Sequence, residues 1–111
     1  MTYWARVHDP DGDGWHYFEF RIDGHATRSI ELQGSLGEPV AAATKAEWDA
    51  ALLAGTDDDY LATFGAPPDM PLHVWEEIEL EDITADDFET VWLPARAACE
   101  ARARARPTPE P

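Results

Sequence analysis

The sequence predicts an α+β domain in which an antiparallel N-terminal sheet of three or four strands packs with two to four helices. Three observations predict it. Aromatic and β-branched residues alternate with polar ones between turn signals over residues 3–32. Capping boxes open helical patterns at Thr44 and Thr84. The length of 111 residues suits one domain with one modest core. Residues 1–106 read as that domain, and the Pro-rich PTPEP at 107–111 reads as a disordered tail.

The elements follow in order. A hairpin turning at Asp11-Gly12 sets Val7 opposite His16, Ala5 opposite Phe18 and Tyr3 opposite Phe20. Tyr3, Ala5, Val7, Phe18, Phe20 and Ile22 then share one face, while Trp4, Arg6, His8, Trp15, Tyr17, Glu19 and Arg21 share the other. A three-residue loop at Asp23-Gly24-His25 leads into a third strand, Ala26 to Leu32. That loop length aligns Ile30 with Phe18 and leaves Thr27, Ser29 and Glu31 on the polar face. Thr44-Lys45-Ala46-Glu47 caps a helix with Trp48, Ala51 and Leu52 on one stripe and Gly55 as its stop. A shorter helix from Thr56 turns Tyr60, Leu61 and Phe64 inward and ends at Gly65. Prolines 67, 68 and 71 make an extended connector, and residues 75–81 alternate imperfectly as an edge strand or an irregular segment. Thr84 with Asp87 caps the last helix and Ile83 staples against Phe88. Pro94 should kink or break it, with Ala95 to about Arg106 as a second helical stretch.

Charge is the other distinctive property. The chain has 23 Asp plus Glu against 8 Lys plus Arg, a formal charge of −15. Residues 57–93 hold twelve of the acids and no base. Neutralising a phosphate backbone takes Lys and Arg, so direct nucleic-acid binding is not expected, and neither is a polybasic contact with anionic lipid. The start MTYWARVHD has no basic and apolar leader, and no apolar run reaches membrane-spanning length, so a cytoplasmic protein is expected. The single cysteine, Cys99, fits a reducing compartment.

Several clusters could carry chemistry. Asp9, Asp11 and Asp13 open like a calcium loop, but position twelve is Phe20 rather than the bidentate Glu such a loop needs, so a plain hairpin tip is favoured. His8 and His16 flank that tip with Asp13, yet the hairpin register points them to opposite faces, against a shared metal. No cofactor is expected. Asp57, Asp58 and Asp59 suit the positive end of a helix dipole. The acids Glu76, Glu77, Glu79, Glu81, Asp82, Asp86, Asp87 and Glu89 are denser than capping requires, and with no base nearby their field should extend beyond the surface. The face carrying Trp4, Arg6, Trp15, Tyr17, Glu19 and Arg21 has the residue types of interface hot spots; it is either an open site or core with satisfied polar tips. No nucleophile constellation or phosphate loop is present.

The stretch YFEFRIDGHATRSIEL, a capped helix and the closing ELEDITADDFETVW together resemble small bacterial proteins classed as domains of unknown function. The resemblance implies an α+β fold and a bacterial source, and transfers no catalytic residue. In size and acidity the chain also resembles immunity proteins that neutralise secreted bacterial toxins. The leading expectation is therefore a small interaction protein whose acids from Glu76 to Glu89 bind a basic protein, with toxin immunity as its concrete form. The alternative expectation is a small-ligand pocket or minor enzyme on the Trp4, Arg6, Tyr17 and Arg21 face.

Overall fold

The structure is a computed structural model, and it describes residues 2–9, 13–68 and 80–105. Strands β1 (Tyr3–Asp9), β2 (Gly14–Phe20), β3 (Ala26–Gln33) and β4 (Glu38–Thr44) are followed by helices α1 (Lys45–Ala54) and α2 (Asp57–Phe64). The two-residue strand β5 (Glu81–Asp82) and the long helix α3 (Ala85–Ala105) complete the described chain. The strands form one antiparallel sheet in the order β4-β3-β2-β1-β5. The α+β class is as expected, with five strands rather than three or four.

The additional strand is β4. Its sequence, EPVAAAT, lacks the bulky β-branched pattern of its neighbours, so nothing local marks it as a strand. Pairing along β3 holds it extended, and its small side chains serve α3. Ala42 and Ala95 are both fully buried in the same cluster, which lets helix and edge strand approach closely. Of the expected edge segment 75–81, β5 covers the end, pairing Glu81 with Arg6 and Asp82 with Ala5; residues 75–79 lie outside the described residues.

The β1–β2 register is the expected one, with Tyr3 opposite Phe20, Ala5 opposite Phe18 and Val7 opposite His16. The β3 register is not. Tyr17 lies opposite Ile30 and Phe18 opposite Ser29, because the pairing shifts between Glu19 and Phe20: Arg28 faces Glu19 while Ala26 faces Phe20. This bulge leaves Thr27 as the extra residue, and a one-residue slip moves every β3 side chain to the other face. Ile30 thus joins Tyr17, and Ser29 and Glu31 join Phe18 and His16.

Both faces of the sheet are buried. On one, Tyr17, Ile30 and Ala42 pack with Phe88, Trp92, Ala95 and Cys99 of α3, and Trp4, Trp15, Leu32, Phe64 and Ile83 close around them. On the other, Ala5, Phe18, Phe20 and Ala26 form a second cluster flanked by Tyr3, Val7 and Leu80. Ile22, expected on this second face, is 83% exposed because it lies past the end of β2. Leu61, expected inward on α2, is half exposed, since Tyr60 and Phe64 take the inner stripe.

The helix ends follow the sequence closely. Thr44 Oγ accepts from Glu47 N at 3.0 Å, and Gly55 ends α1 with φ 74°. The return half of this capping box is relayed: Thr44 N donates to Tyr60 Oη at 3.0 Å, and that hydroxyl donates to Glu47 Oε1 at 2.8 Å. At α3 the box is complete, with Asp87 N donating to Thr84 Oγ1 at 3.0 Å and Thr84 N to Asp87 Oδ2 at 3.1 Å. Gly65 ends α2 at φ 79°, where a Cβ would stand 2.8 Å from Ala41 Cβ.

The expected break at Pro94 does not occur, and α3 runs unbroken from Ala85 to Ala105. Phe88, Trp92, Ala95 and Cys99 are buried along one stripe on both sides of the proline, and their burial outweighs the roughly 3 kcal/mol an interior proline costs. Pro94 itself and Thr90, whose carbonyl loses its partner, are both exposed to water. Pro94→Ala should therefore stabilise the domain by about 1–3 kcal/mol with little change in helix content. Urea denaturation with far-UV circular dichroism checks this; a large gain in helix signal would mean that the parent helix is broken.

Candidate functional site

The predicted aromatic face is the one that α3 covers, so most of it is core. Tyr17 is buried, and Trp4 and Trp15 pack against the same cluster. Glu19 is the most heavily bonded side chain there. It accepts from Trp4 Nε1 at 3.0 Å, Thr27 Oγ1 at 2.7 Å, Arg28 Nε at 3.0 Å and a terminal Arg28 nitrogen at 2.6 Å. Arg28 also pairs with Glu89 of α3 and lies 4.8 Å and 4.9 Å over the rings of Phe88 and Trp92. Arg21 stands apart, exposed past β2 and paired with Asp23 at 2.5 Å.

Burial by itself pushes the Glu19 carboxyl up, but the hydrogen bonds from Arg28, Thr27 and Trp4 outweigh it and hold the group below the usual carboxylate range. Burial likewise works against Glu47, which ends lowered because Tyr60 and Arg96 bond it. Asp23 is held at about 2 by the backbone N–H of His25 and by Arg21.

Two further arginines brace α3 at its other end. Arg96 contacts both Glu47 oxygens at 2.7 and 2.8 Å, donates to Ala42 O at 2.9 Å and stacks 3.7 Å over Phe64. Arg102 donates to the carbonyls of Pro39 and Val40 on β4. Neither Arg28 nor Arg96 stood out in the sequence, because their acids are remote in the chain.

The acidic candidates divide in the same way. Glu81 binds Arg6 Nε at 2.7 Å, Asp82 accepts from the Tyr3 hydroxyl, Asp87 caps α3 and Glu89 binds Arg28. Burial, then the Asp82 bond, push the Tyr3 hydroxyl up to about 12. Asp86 is exposed in the first turn of α3. Glu76, Glu77 and Glu79 lie outside the described residues.

The structure also joins the two predicted sets. Arg6 and Tyr17, bonded at 3.2 Å, line a cleft of about 350 Å³ together with Glu81, Asp82, Asp87 and Thr90. Arg6 stacks 4.3 Å over Trp15, and its bonds to Glu81 and Tyr17 hold its charge more firmly than usual. Such a cleft can meet a partner's ammonium or guanidinium on its carboxylate rim.

At the hairpin tip, Asp13 Oδ1 lies 3.3 Å from His8 Nε2; Asp11 and the side chain of Asp9 are outside the described residues. His8 packs edge-on to Trp15 and His16 lies parallel to Phe18, on opposite faces. Among the described residues no group of three or more His, Cys, Asp or Glu is placed to hold a metal ion, and no helix is long and apolar enough to cross a membrane. Comparison with known protein families, curated proteins and solved structures finds no match.

Glu19 and Glu47 have folded-state pKa values below their unfolded ones, so their contribution is present above the unfolded value near 4.3 and is lost as pH falls through the folded value. Stability should therefore drop on acidification from about pH 5 to about pH 3, and Glu19→Gln should shrink that drop while lowering stability at neutral pH. Urea denaturation across this range reads both effects. An unchanged pH slope in the variant would remove Glu19 from the acid response.

Proposed function

We propose that this domain is a small acidic interaction protein that binds a basic protein partner through the surface around β5 and the start of α3. The observation that supports it most is the use of the bases. Arg6, Arg21, Arg28, Lys45 and Arg96 each pair with a carboxylate of the same chain, and Arg102 is bonded to β4 carbonyls. Asp82, Asp86 and Asp87 thus present charge with no opposing base within hydrogen-bond reach among the described residues. They sit on a strand and a helix rather than a loose tail, so little ordering entropy is lost on binding.

A fixed negative field steers a basic partner and raises its association rate by about ten- to a thousand-fold. In its concrete form the reading is a toxin-neutralising protein of a bacterial cytoplasm, whose acids compete for the basic groove of a toxin such as a nuclease. The buried, free Cys99 suits that compartment.

Partner capture from the source lysate, followed by stopped-flow association across a salt series, tests the reading. The variant Glu77→Gln, Glu79→Gln, Asp86→Asn should associate more slowly and with a shallower salt slope, its dissociation rate little changed. Identical slopes for variant and parent would place the contact elsewhere.

A further inference from the structure

We propose that the outer edge of β4 is a strand-pairing surface held closed by α3, and that the partner it fits is β4 of a second copy of this chain. In the order β4-β3-β2-β1-β5, β4 is an edge strand among the described residues. An edge strand presents a row of backbone N–H and C=O groups that can pair with another chain, and proteins blunt such edges with charge, proline or a covering element. Pro39 does this at the start of β4, since it has no N–H to donate. Residues 40–44, VAAAT, carry no charge and no further proline. The middle of the edge therefore has no protection of its own.

Side chains from the helices supply it. In an antiparallel strand the N–H and C=O of one residue point to the same side, and that side alternates along the chain. Val40, Ala42 and Thr44 face away from β3, and each is bonded by a helix side chain. Arg102 donates to Val40 O at 3.2 Å, Arg96 donates to Ala42 O at 2.9 Å, and Thr44 N donates to Tyr60 Oη at 3.0 Å. Arg102 also donates to Pro39 O, which joins the outward row because the pairing with β3 shifts between Glu31 and Leu32. Charged donors make stronger bonds than neutral ones. A further strand would have to lie about 4.8 Å from β4, in the space these guanidinium groups occupy, so the closed and the paired edge exclude each other.

A second copy matches the opened edge by twofold symmetry. With Ala42 opposite Ala42, an antiparallel β4 sets Val40 against Thr44 and brings no two charges together within residues 40–44, and its three alanines put no bulk between the backbones. The charge of −15 on each copy opposes the approach, and salt relieves that repulsion.

Sedimentation velocity of the full chain over a concentration series in about 300 mM sodium chloride tests this. Arg102→Met, which leaves the Arg96–Glu47 pair intact, should dimerise about tenfold more tightly than the parent. Arg96→Met combined with it should dimerise more tightly again. As concentration rises, the Ala42 amide of each variant should gain protection from hydrogen exchange. Val40→Lys added to Arg102→Met should restore the parent's behaviour, because a lysine on an edge opposes pairing. Circular dichroism checks that each variant is folded. The proposal fails if Arg102→Met, and the double variant where it folds, sediment like the parent; a lower melting temperature without association would leave Arg102 as a charge at the helix C-terminus only. It also fails if they associate with the Ala42 amide unprotected or despite Val40→Lys, which would mean general exposure of apolar surface. None of these outcomes depends on β5, at the opposite edge of the sheet, so this surface and the partner-binding reading stand or fall separately.

Discussion

The Arg28 guanidinium, set between Glu19 of the sheet and Glu89 of α3 and lying over Phe88 and Trp92, ties the sheet to its longest helix. It makes a charged group the mortar between the sheet and its longest helix. Arg28 and Glu19 are only 20% and 15% exposed at their side chains, so each needs the other. Removing one partner of such a pair leaves an uncompensated charge and costs a few kcal/mol, whereas the intact pair contributes little beyond a well-packed apolar substitute. The pair therefore governs geometry more than stability. It fixes where Phe88 and Trp92 lie over Tyr17 and Ile30, and that placement lets α3 continue through Pro94.

Arg96 repeats the device at the other end of the same helix, linking α3 to Glu47 of α1, Ala42 of β4 and Phe64 of α2. Together the two arginines tie the sheet and the helices to one another in a chain rich in acids and poor in bases. The acids left outside this bracing face water, and the negative surface follows directly from how few bases there are and where they go.

This division explains what was legible in the sequence. The β1–β2 register could be read because Tyr3, Ala5, Val7, Phe18 and Phe20 alternate strictly, and the caps could be read because Thr44 with Glu47 and Thr84 with Asp87 each fall within four residues, although the return bond at Thr44 runs through Tyr60. β4 could not, since three consecutive alanines become a strand only through pairing with β3. Neither could the bulge at Thr27, which depends on how β2 and β3 meet rather than on a turn signal. It reversed the expected placing of Ile30, Ser29 and Glu31. The acidic run was visible as charge, but the pairs Arg6–Glu81 and Arg28–Glu89 span 75 and 61 residues, and no local pattern announces them. The aromatic face was recognised as distinctive, and its role as core became apparent only with α3 in place.

Arg28 and Arg96 are committed to half-buried bracing, while unneutralised acids dominate the exposed surface among the described residues. Salt separates the two, because it screens exposed charges beyond a Debye length of about 8 Å at physiological ionic strength and affects half-buried pairs much less. The most direct test is a pair of thermal melts at about 10 mM and about 300 mM sodium chloride. The midpoint should be higher in high salt, since relief of surface repulsion outweighs any loss at the arginine pairs. An unchanged or lower midpoint would contradict it, and would mean that attraction between exposed pairs offsets the surface repulsion.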